Sequence, residues 1–455
     1  MKHIIISIIL ALTLSSCGIY TSFKGAELSH NPETLYRNID FSKDTNSIAQ
    51  IHWKEFFNDT TLHNLIEIGL KNNSDLQIAL LKSEEAKVNL LGAKLAYLPT
   101  LSLSPQAGIG AQDFSFMDPN YSITASASWE IDIFGKKTNA KRASKAAYES
   151  SQAYVQAVQT NLISTIANNY FSLLMLDEQI KISERSIKNW ENTIRVMLAL
   201  KRNGKIKESA ISQARGNKLG LESSLKSLQA KVLETENNLS TLLGIEASSI
   251  QRTCLESQVF ENDITLGIQL QMIANRPDVR QAELALAQSF YTVNGSRAAL
   301  YPSLTLSASL GFTNALGAAI ANPWGFVLNS LASVVQPIFN QGRLRAQLSI
   351  AQLKEEQSLI SFNQVVLDAA NEVNNSLIQY QTASERLNIG LEQVASLEKA
   401  LKSTQLLLLN SNQINYLEVI TAENTLLQSE LNVVNEKFAL LQGMINLYRA
   451  LGAKI

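Results

Sequence analysis

The chain has 455 residues, of which 45% are hydrophobic and 17% charged, and its net charge is -1. Charged residues fall below the roughly 25% of an ordinary soluble protein, and a near-neutral chain offers no basic face for nucleic acid. All four histidines lie within the first 63 residues and the two cysteines are Cys17 and Cys254, so neither a Cys/His metal cluster nor a Ser-His-Asp triad is expected, and the chain reads as no enzyme.

Lys2 and His3 precede an apolar run from Ile4 to Leu14. A short charged start and an apolar stretch too short to span a bilayer mark residues 1–16 as a signal peptide. It closes on Leu14-Ser15-Ser16-Cys17, which resembles the bacterial lipobox. That resemblance implies cleavage before Cys17, a lipid on its sulfur and an acylated amino group. The covalent lipid on Cys17 is the one non-protein group expected. Several acyl chains anchor firmly, at about 0.8 kcal/mol per buried CH₂. Gly18 follows, where lipoproteins held at the inner membrane often carry aspartate. Residues 17–56 then read as a lipid-anchored arm. With Cys17 lipidated, Cys254 has no intrachain partner and is expected as a small buried apolar residue.

Residues 57–259 form a first unit. A helix is expected over about 75–97, followed by ribbons over about 100–112 and 121–134. Tyr121, Ile123, Ala125, Ala127, Trp129, Ile131 and Ile133 alternate with Ser122, Thr124, Ser126, Ser128, Glu130 and Asp132, which is the period of a strand with one apolar and one polar face. No proline occurs between 136 and 276, so a long helical hairpin fits about 137–243. It turns at Lys201-Arg202-Asn203-Gly204-Lys205. Leu221, Leu225, Leu228, Val232, Leu239 and Leu242 keep a heptad seam with a miss at Thr235, as in coiled coils.

Residues 260–455 repeat this plan. Asn72, Asp75, Gly92, Ala96, Pro99 and Leu101 recur 203 residues on as Asn275, Asp278, Gly295, Ala299, Pro302 and Leu304. Later pairs, such as Leu243-Gly244 with Leu451-Gly452, are 208 apart. The second unit has a helix over about 278–300, ribbons over about 303–313 and 324–337, and a hairpin over about 342–450 that turns at Asn410-Ser411-Asn412-Gln413. In its ribbons Leu304, Leu306, Ala308, Leu310 and Phe312 share a face, as do Trp324, Phe326, Leu328, Ala332 and Val334, with Ser330 among them. Leu417, Ile420, Leu427, Leu431, Val434, Phe438, Leu441, Ile445 and Tyr448 form the seam, with a miss at Asn424.

Amphipathic ribbons of this length are the sequence pattern of a transmembrane barrel, with Tyr121, Trp129, Phe312, Trp324 and Phe326 as girdle aromatics. Four strands cannot close a barrel around a channel, and open edges in lipid are costly. Further copies must complete it. Two would give eight strands with a filled interior; three would give twelve and a lumen.

These residues are similar to the TolC-like outer membrane efflux protein family, in its lipoprotein branch (NodT/OprM-type). The carriers are Trp53, Phe57-Asn58-Asp59, Leu62, Leu65-Ile66, Asn72-Asn73-Ser74-Asp75-Leu76, Arg276-Pro277-Asp278-Val279-Arg280-Gln281-Ala282-Glu283, Tyr301-Pro302-Ser303-Leu304, Pro337-Ile338-Phe339 with Gly342, and Ala450-Leu451-Gly452. The resemblance implies an α+β membrane protein. It would be a homotrimer with a 12-stranded barrel in the outer membrane, continued by a periplasmic helical coiled-coil barrel. It implies a periplasmic adaptor and an inner membrane pump, of the resistance-nodulation-division type, exporting drugs or other solutes. A type I protein secretion or metal efflux duct, or a non-channel coiled-coil lipoprotein, stays open beside it. The motif Tyr416-Leu417-Glu418-Val419-Ile420-Thr421-Ala422 matches the family's closing ring. It assigns a periplasmic gate to Leu417, Glu418 and Thr421, with Thr421 where some members carry a second acid and Ile414 in place of a basic latch residue. Gly204, Ser209 and Asn412 would face the adaptor.

Overall fold

The computed structural model describes residues 21–26, 51–108, 111–112, 115–116, 120–258, 276–313, 325–410 and 416–452. Cys17 and the signal peptide, Trp324, Asn412 and Ile414 lie outside the described residues. In chain order the elements are α1 (Trp53–Phe56), α2 (Thr60–Asn72), α3 (Ser74–Leu95), β1 (Thr100–Gly108), β2 (Ala111–Gln112), β3 (Ser115–Phe116), β4 (Asn120–Ile131), α4 (Lys136–Arg202), α5 (Glu208–Leu243), α6 (Pro277–Ala298), β5 (Ser303–Thr313), β6 (Gly325–Val335), α7 (Arg343–Asn410) and α8 (Tyr416–Ala450). The first ribbon is shorter than its alternation suggests. Among the described residues its pairing in the main sheet runs to Gly108, and Ala111–Gln112 pair with Ser115–Phe116.

The chain divides into two compact units, one made of residues 1–29, 81–153 and 280–365, the other of 30–80, 154–279 and 366–455. The first unit carries a four-stranded antiparallel sheet in the order β1-β4-β5-β6. Asp132 starts α4 by accepting hydrogen bonds from the Lys137 and Thr138 amides at 3.0 and 2.7 Å and from the Thr138 hydroxyl at 2.7 Å. A carboxylate at a helix start pairs orphan amides and suits the dipole. Serines join helices in both repeats, though not at equivalent positions: the Ser151 hydroxyl donates to Ser83 at 3.1 Å, and Ser289 and Ser358 pair at 2.8 Å.

The second unit is helical. Its core gathers Trp53, Phe56, Phe57, Leu62 and Ile66 around Tyr170, Phe171 and Tyr448, with Phe56 stacked on Tyr448 at 4.1 Å. Asp59 caps α2 by accepting from the Thr61 amide at 2.8 Å, and also accepts from the Tyr170 hydroxyl at 2.6 Å and the Thr253 hydroxyl at 2.7 Å. Cys254 follows that contact and is exposed, against the expectation of a buried thiol; Leu255 beside it fills the core position instead.

Here the repeat is physical. The Asn73 amide donates to the Leu242 carbonyl at 3.0 Å, and the Arg276 guanidinium donates to the Ala450 carbonyl at 2.5 Å. Each ties the end of a hairpin to the start of an earlier helix. Each hairpin then ends on a left-handed glycine, Gly244 at φ +66° and Gly452 at φ +80°. A Cβ at Gly244 would lie 2.7 Å from the Asn72 carbonyl oxygen. Gly244→Ala therefore combines left-handed strain of about 1–2 kcal/mol with a backbone clash. It is expected to lower the thermal midpoint of the helical signal by several degrees in circular dichroism, more than Gly216→Ala, whose Cβ would meet nothing within 4 Å.

Candidate functional site

The register of the sheet decides its faces. Leu101 opposes Ala127, Leu103 opposes Ala125 and Pro105 opposes Ile123. Ile123 continues to Phe312, Ala125 to Leu310 and Trp129 to Leu306. Leu310 continues to Leu328, and Leu304 to Val334. These apolar residues share one face, and Leu101, Leu103, Ile123, Trp129, Leu306, Leu310, Phe312, Leu328 and Val334 are exposed on it. No second layer covers them among the described residues. Single exposed apolar residues need no explanation, but a contiguous face of this extent marks an interaction surface.

The opposite face pairs Ser102 with Ser126, Ser104 with Thr124, Ser126 with Ser309 and Ser128 with Ser307. Ser102 and Ser126 hydroxyls lie 2.8 Å apart. Glu130 is the only ionisable residue that the four strands place on this face, and Lys136 meets it at 3.1 Å. The fourth strand departs from the plan: Ser330 sits on the apolar face, while Val327, Leu331 and Val335 sit among the hydroxyls.

The aromatics bracket a band. Tyr121 and Trp129 lie on the apolar face of β4, and eight strand residues at ~3.4 Å separate them by about 27 Å. That is close to the ~25 Å apolar band of membrane barrels. Phe312 is beside Tyr121's end, one apolar pair along the ladder. Trp129 donates its indole N–H to the Tyr97 carbonyl at 2.7 Å. No described helix is long and apolar enough to cross a membrane.

The far ends of the hairpins form a second candidate region. Residues from α4, α5 and α8 build one small core: Trp190, Met197, Ala210, Ile211, Ala214, Leu221 and Ile420. The α4–α5 turn closes with Gly204 at φ +71° and hydrogen bonds from the Gly204 amide to the Lys201 carbonyl (2.8 Å) and from the Lys205 amide to the Leu200 carbonyl (3.0 Å). Gly204 and Ser209 are exposed there. Leu417, Glu418 and Thr421 are brought together on the exposed side of the first turns of α8, while Val419 and Ile420 face inward. The Thr421 hydroxyl donates to the Leu417 carbonyl at 2.8 Å. Leu417 thus lies outside the buried seam that the heptad spacing gave it.

The seam holds a residue that the heptad count missed. Asn424 is exposed, and Glu423 beside it is buried. Glu423 Oε1 accepts from the Thr193 hydroxyl on α4 at 2.6 Å and from the Gln405 amide on α7 at 3.3 Å, and Oε2 has no partner among the described residues. The first repeat shows the same substitution: the miss at Thr235 is taken up by buried Glu236, which accepts from Arg252 at 2.5 Å. Glu236 faces a cation, whereas burial pushes the Glu423 carboxyl above its ordinary value and only neutral donors oppose that. The usable signal was an acid three residues after Ile420 and four before Leu427, the spacing of one helix face. No three His, Cys, Asp or Glu side chains cluster to hold a metal among the described residues.

The outer membrane efflux protein model matches residues 65–245 and 270–453, and the chain belongs to that family. Among its relatives, the cation efflux system protein CusC of Escherichia coli O157:H7 is 26% identical over 97% of this chain and 96% of its own. SilC of Salmonella typhimurium, a probable outer membrane lipoprotein, is 26% identical over 94% of each chain. OpmQ of Pseudomonas aeruginosa, a pyoverdine export outer membrane protein, is 26% identical over 90% of this chain and 88% of its own. A solved CusC structure superposes with a TM-score of 0.85 at 26% identity, covering 94% of this chain and 99% of that one. The outer membrane channel OprN gives 0.84 at 25%, covering 96% and 98%. The chain is therefore an outer membrane efflux channel protein that reaches into the periplasm, a conduit and not an enzyme. Its two-repeat fold of four strands and long helices is the one expected from the sequence.

Because the folded Glu423 carboxyl titrates above its unfolded value, its contribution is complete at low pH and is lost as pH rises past the ordinary carboxylate range. The helical thermal midpoint is expected to fall over that rise, and Glu423→Gln to flatten this part of the profile. A profile identical in both proteins would show that Glu423 does not titrate in its buried place.

Proposed function

We propose that three copies of this chain form a periplasm-spanning exit duct, the outer membrane part of a tripartite pump for drugs or other solutes. The observation that carries this reading is the uncovered apolar face of a single-layered sheet whose other face is lined with hydroxyls. Lipid suits the first face and water the second. With four strands from each chain, three chains supply about twelve, enough for a lumen.

In this reading the lipid on Cys17 holds each chain to the membrane. Gly204, Ser209 and Asn412 meet a periplasmic adaptor, which couples the duct to an inner membrane pump of the resistance-nodulation-division type. Leu417, Glu418 and Thr421 line the closing ring: Leu417 narrows it, Glu418 favours cations there, and Thr421 adds a hydroxyl where a second acid would raise the charge. Export of metal cations is the second reading, favoured by the cation efflux relatives that match over nearly the full chain.

Purified protein in a planar bilayer is expected to give discrete conductance steps, and Glu418→Gln to lower cation preference in the reversal potential. Migration as a monomer without conductance would overturn the duct. Labelled palmitate is expected to enter the wild-type protein and not Cys17→Ala. A deletion strain tested against dyes, antibiotics, copper and silver separates the two cargo readings: sensitisation to the organic compounds alone supports the first, to the metals alone the second.

A further inference from the structure

Among the described residues one contact is made once although the repeats provide for it twice. The segment between β4 and α4 turns Phe134 inward. Phe134 is 7% exposed, packs with Ala298 and stacks on Tyr301 at 4.9 Å. Just beyond it, Asn139 is fully buried against α6: a Cβ on Gly295 would lie 3.8 Å from the Asn139 Cβ. The start of α4 and the segment before it therefore cover a face made by Gly295 and Ala298 of α6 and by Tyr301 just beyond it.

The repeat carries both halves of this contact to new places. An offset of 203 maps Gly295, Ala298 and Tyr301 back onto Gly92, Leu95 and Leu98. The counterpart of Ile133-Phe134 is Ile338-Phe339, in the segment between β6 and α7. Equivalence does not rest on sequence alone. The Tyr97 and Leu300 carbonyls, 203 residues apart, each accept from the end of a strand: Tyr97 from Trp129 at 2.7 Å and Leu300 from Gln336 at 3.1 Å.

Both mapped halves are uncovered among the described residues. Nothing lies within 4 Å of a Cβ built at Gly92. Leu95 and Leu98 are 52% and 60% exposed, and Ile338 and Phe339 are 96% and 85% exposed. Phe134 reaches forward from the first repeat to the second. Neither of the two repeats covers Phe339 or the Leu95–Leu98 face among the described residues. A second copy of the chain, placed head to tail, supplies each missing half, and such a heterologous contact closes into a ring when the rotation permits.

We infer that Phe339 of one copy docks on the face made by Gly92 and Leu95 of α3 and by Leu98 just beyond it in the next copy, repeating between chains the contact that Phe134 makes within one. The inference rests on the proposed trimer and names the joint that closes it.

Paired cysteines in a Cys254→Ser background test the joint in isolated outer membranes. Oxidation of Leu98→Cys with Phe339→Cys is expected to give a ladder of covalent dimer and trimer on a non-reducing gel. Phe134→Cys with Tyr301→Cys is expected to close within the chain and remain monomer-sized. Should the second pair close while the first stays monomeric in protein that still migrates unheated as a trimer, the joint is wrong and the trimer stands. Unheated migration as a monomer would sink both. If neither pair oxidises, Phe339→Ala decides: a lower temperature for dissociating the trimer, with unchanged helix content, supports the joint, and an unchanged temperature overturns it.

Discussion

Hydrocarbon offers a peptide group no water to bond with, and each group left unpaired there costs several kcal/mol. Four antiparallel strands in this chain satisfy one another in the order β1-β4-β5-β6, which leaves β1 and β6 with one neighbouring strand each among the described residues. The apolar side chains they hold on one face have no layer over them among the described residues. A soluble sheet would bury that face; a sheet that belongs in lipid keeps it outward and looks to other strands for its edges. The proposed ring, the hydroxyl-lined interior and the use of several chains are consequences of that single requirement.

Duplication gives the chain a way to meet it. The two repeats hold matched contacts that differ in chemistry but keep their place: Asn73 and Arg276 each tie down the last carbonyls of a hairpin, and Gly244 and Gly452 each end one in a left-handed turn. A contact that runs from the first repeat to the second leaves its two mapped counterparts uncovered among the described residues. Phe134 and Phe339 show the two outcomes, one residue packed and its counterpart bare.

The hairpin ends put acids in two environments within one helix. Glu418 stands exposed with Leu417 and Thr421, where an ionised side chain keeps its water. Glu423, just over a turn further along α8, is buried against Thr193 and Gln405 with no cation beside it. Charge on Glu418 therefore costs the fold little. Charge on Glu423 works against the packing of α4, α7 and α8.

Much of this was legible in the sequence, because it rests on period and punctuation. Alternation in Tyr121 to Ile133, the proline-free stretches and the offset of 203 residues placed the strands, the long helices and the repeat nearly where the structure has them. Local signals misled where packing partners come from far away. Heptad counting put Leu417 and Asn424 in the seam, but the neighbours that decide burial lie on α4, α5 and α7, and they select Glu423 instead. Cys254 looked like a core residue by type and is exposed because Leu255 takes the inward position. The sequence by itself determined which residues alternate and where helices stop, since those depend on the chain's own geometry. Only the tertiary structure decided which faces stay bare, since burial is a property of what stands opposite.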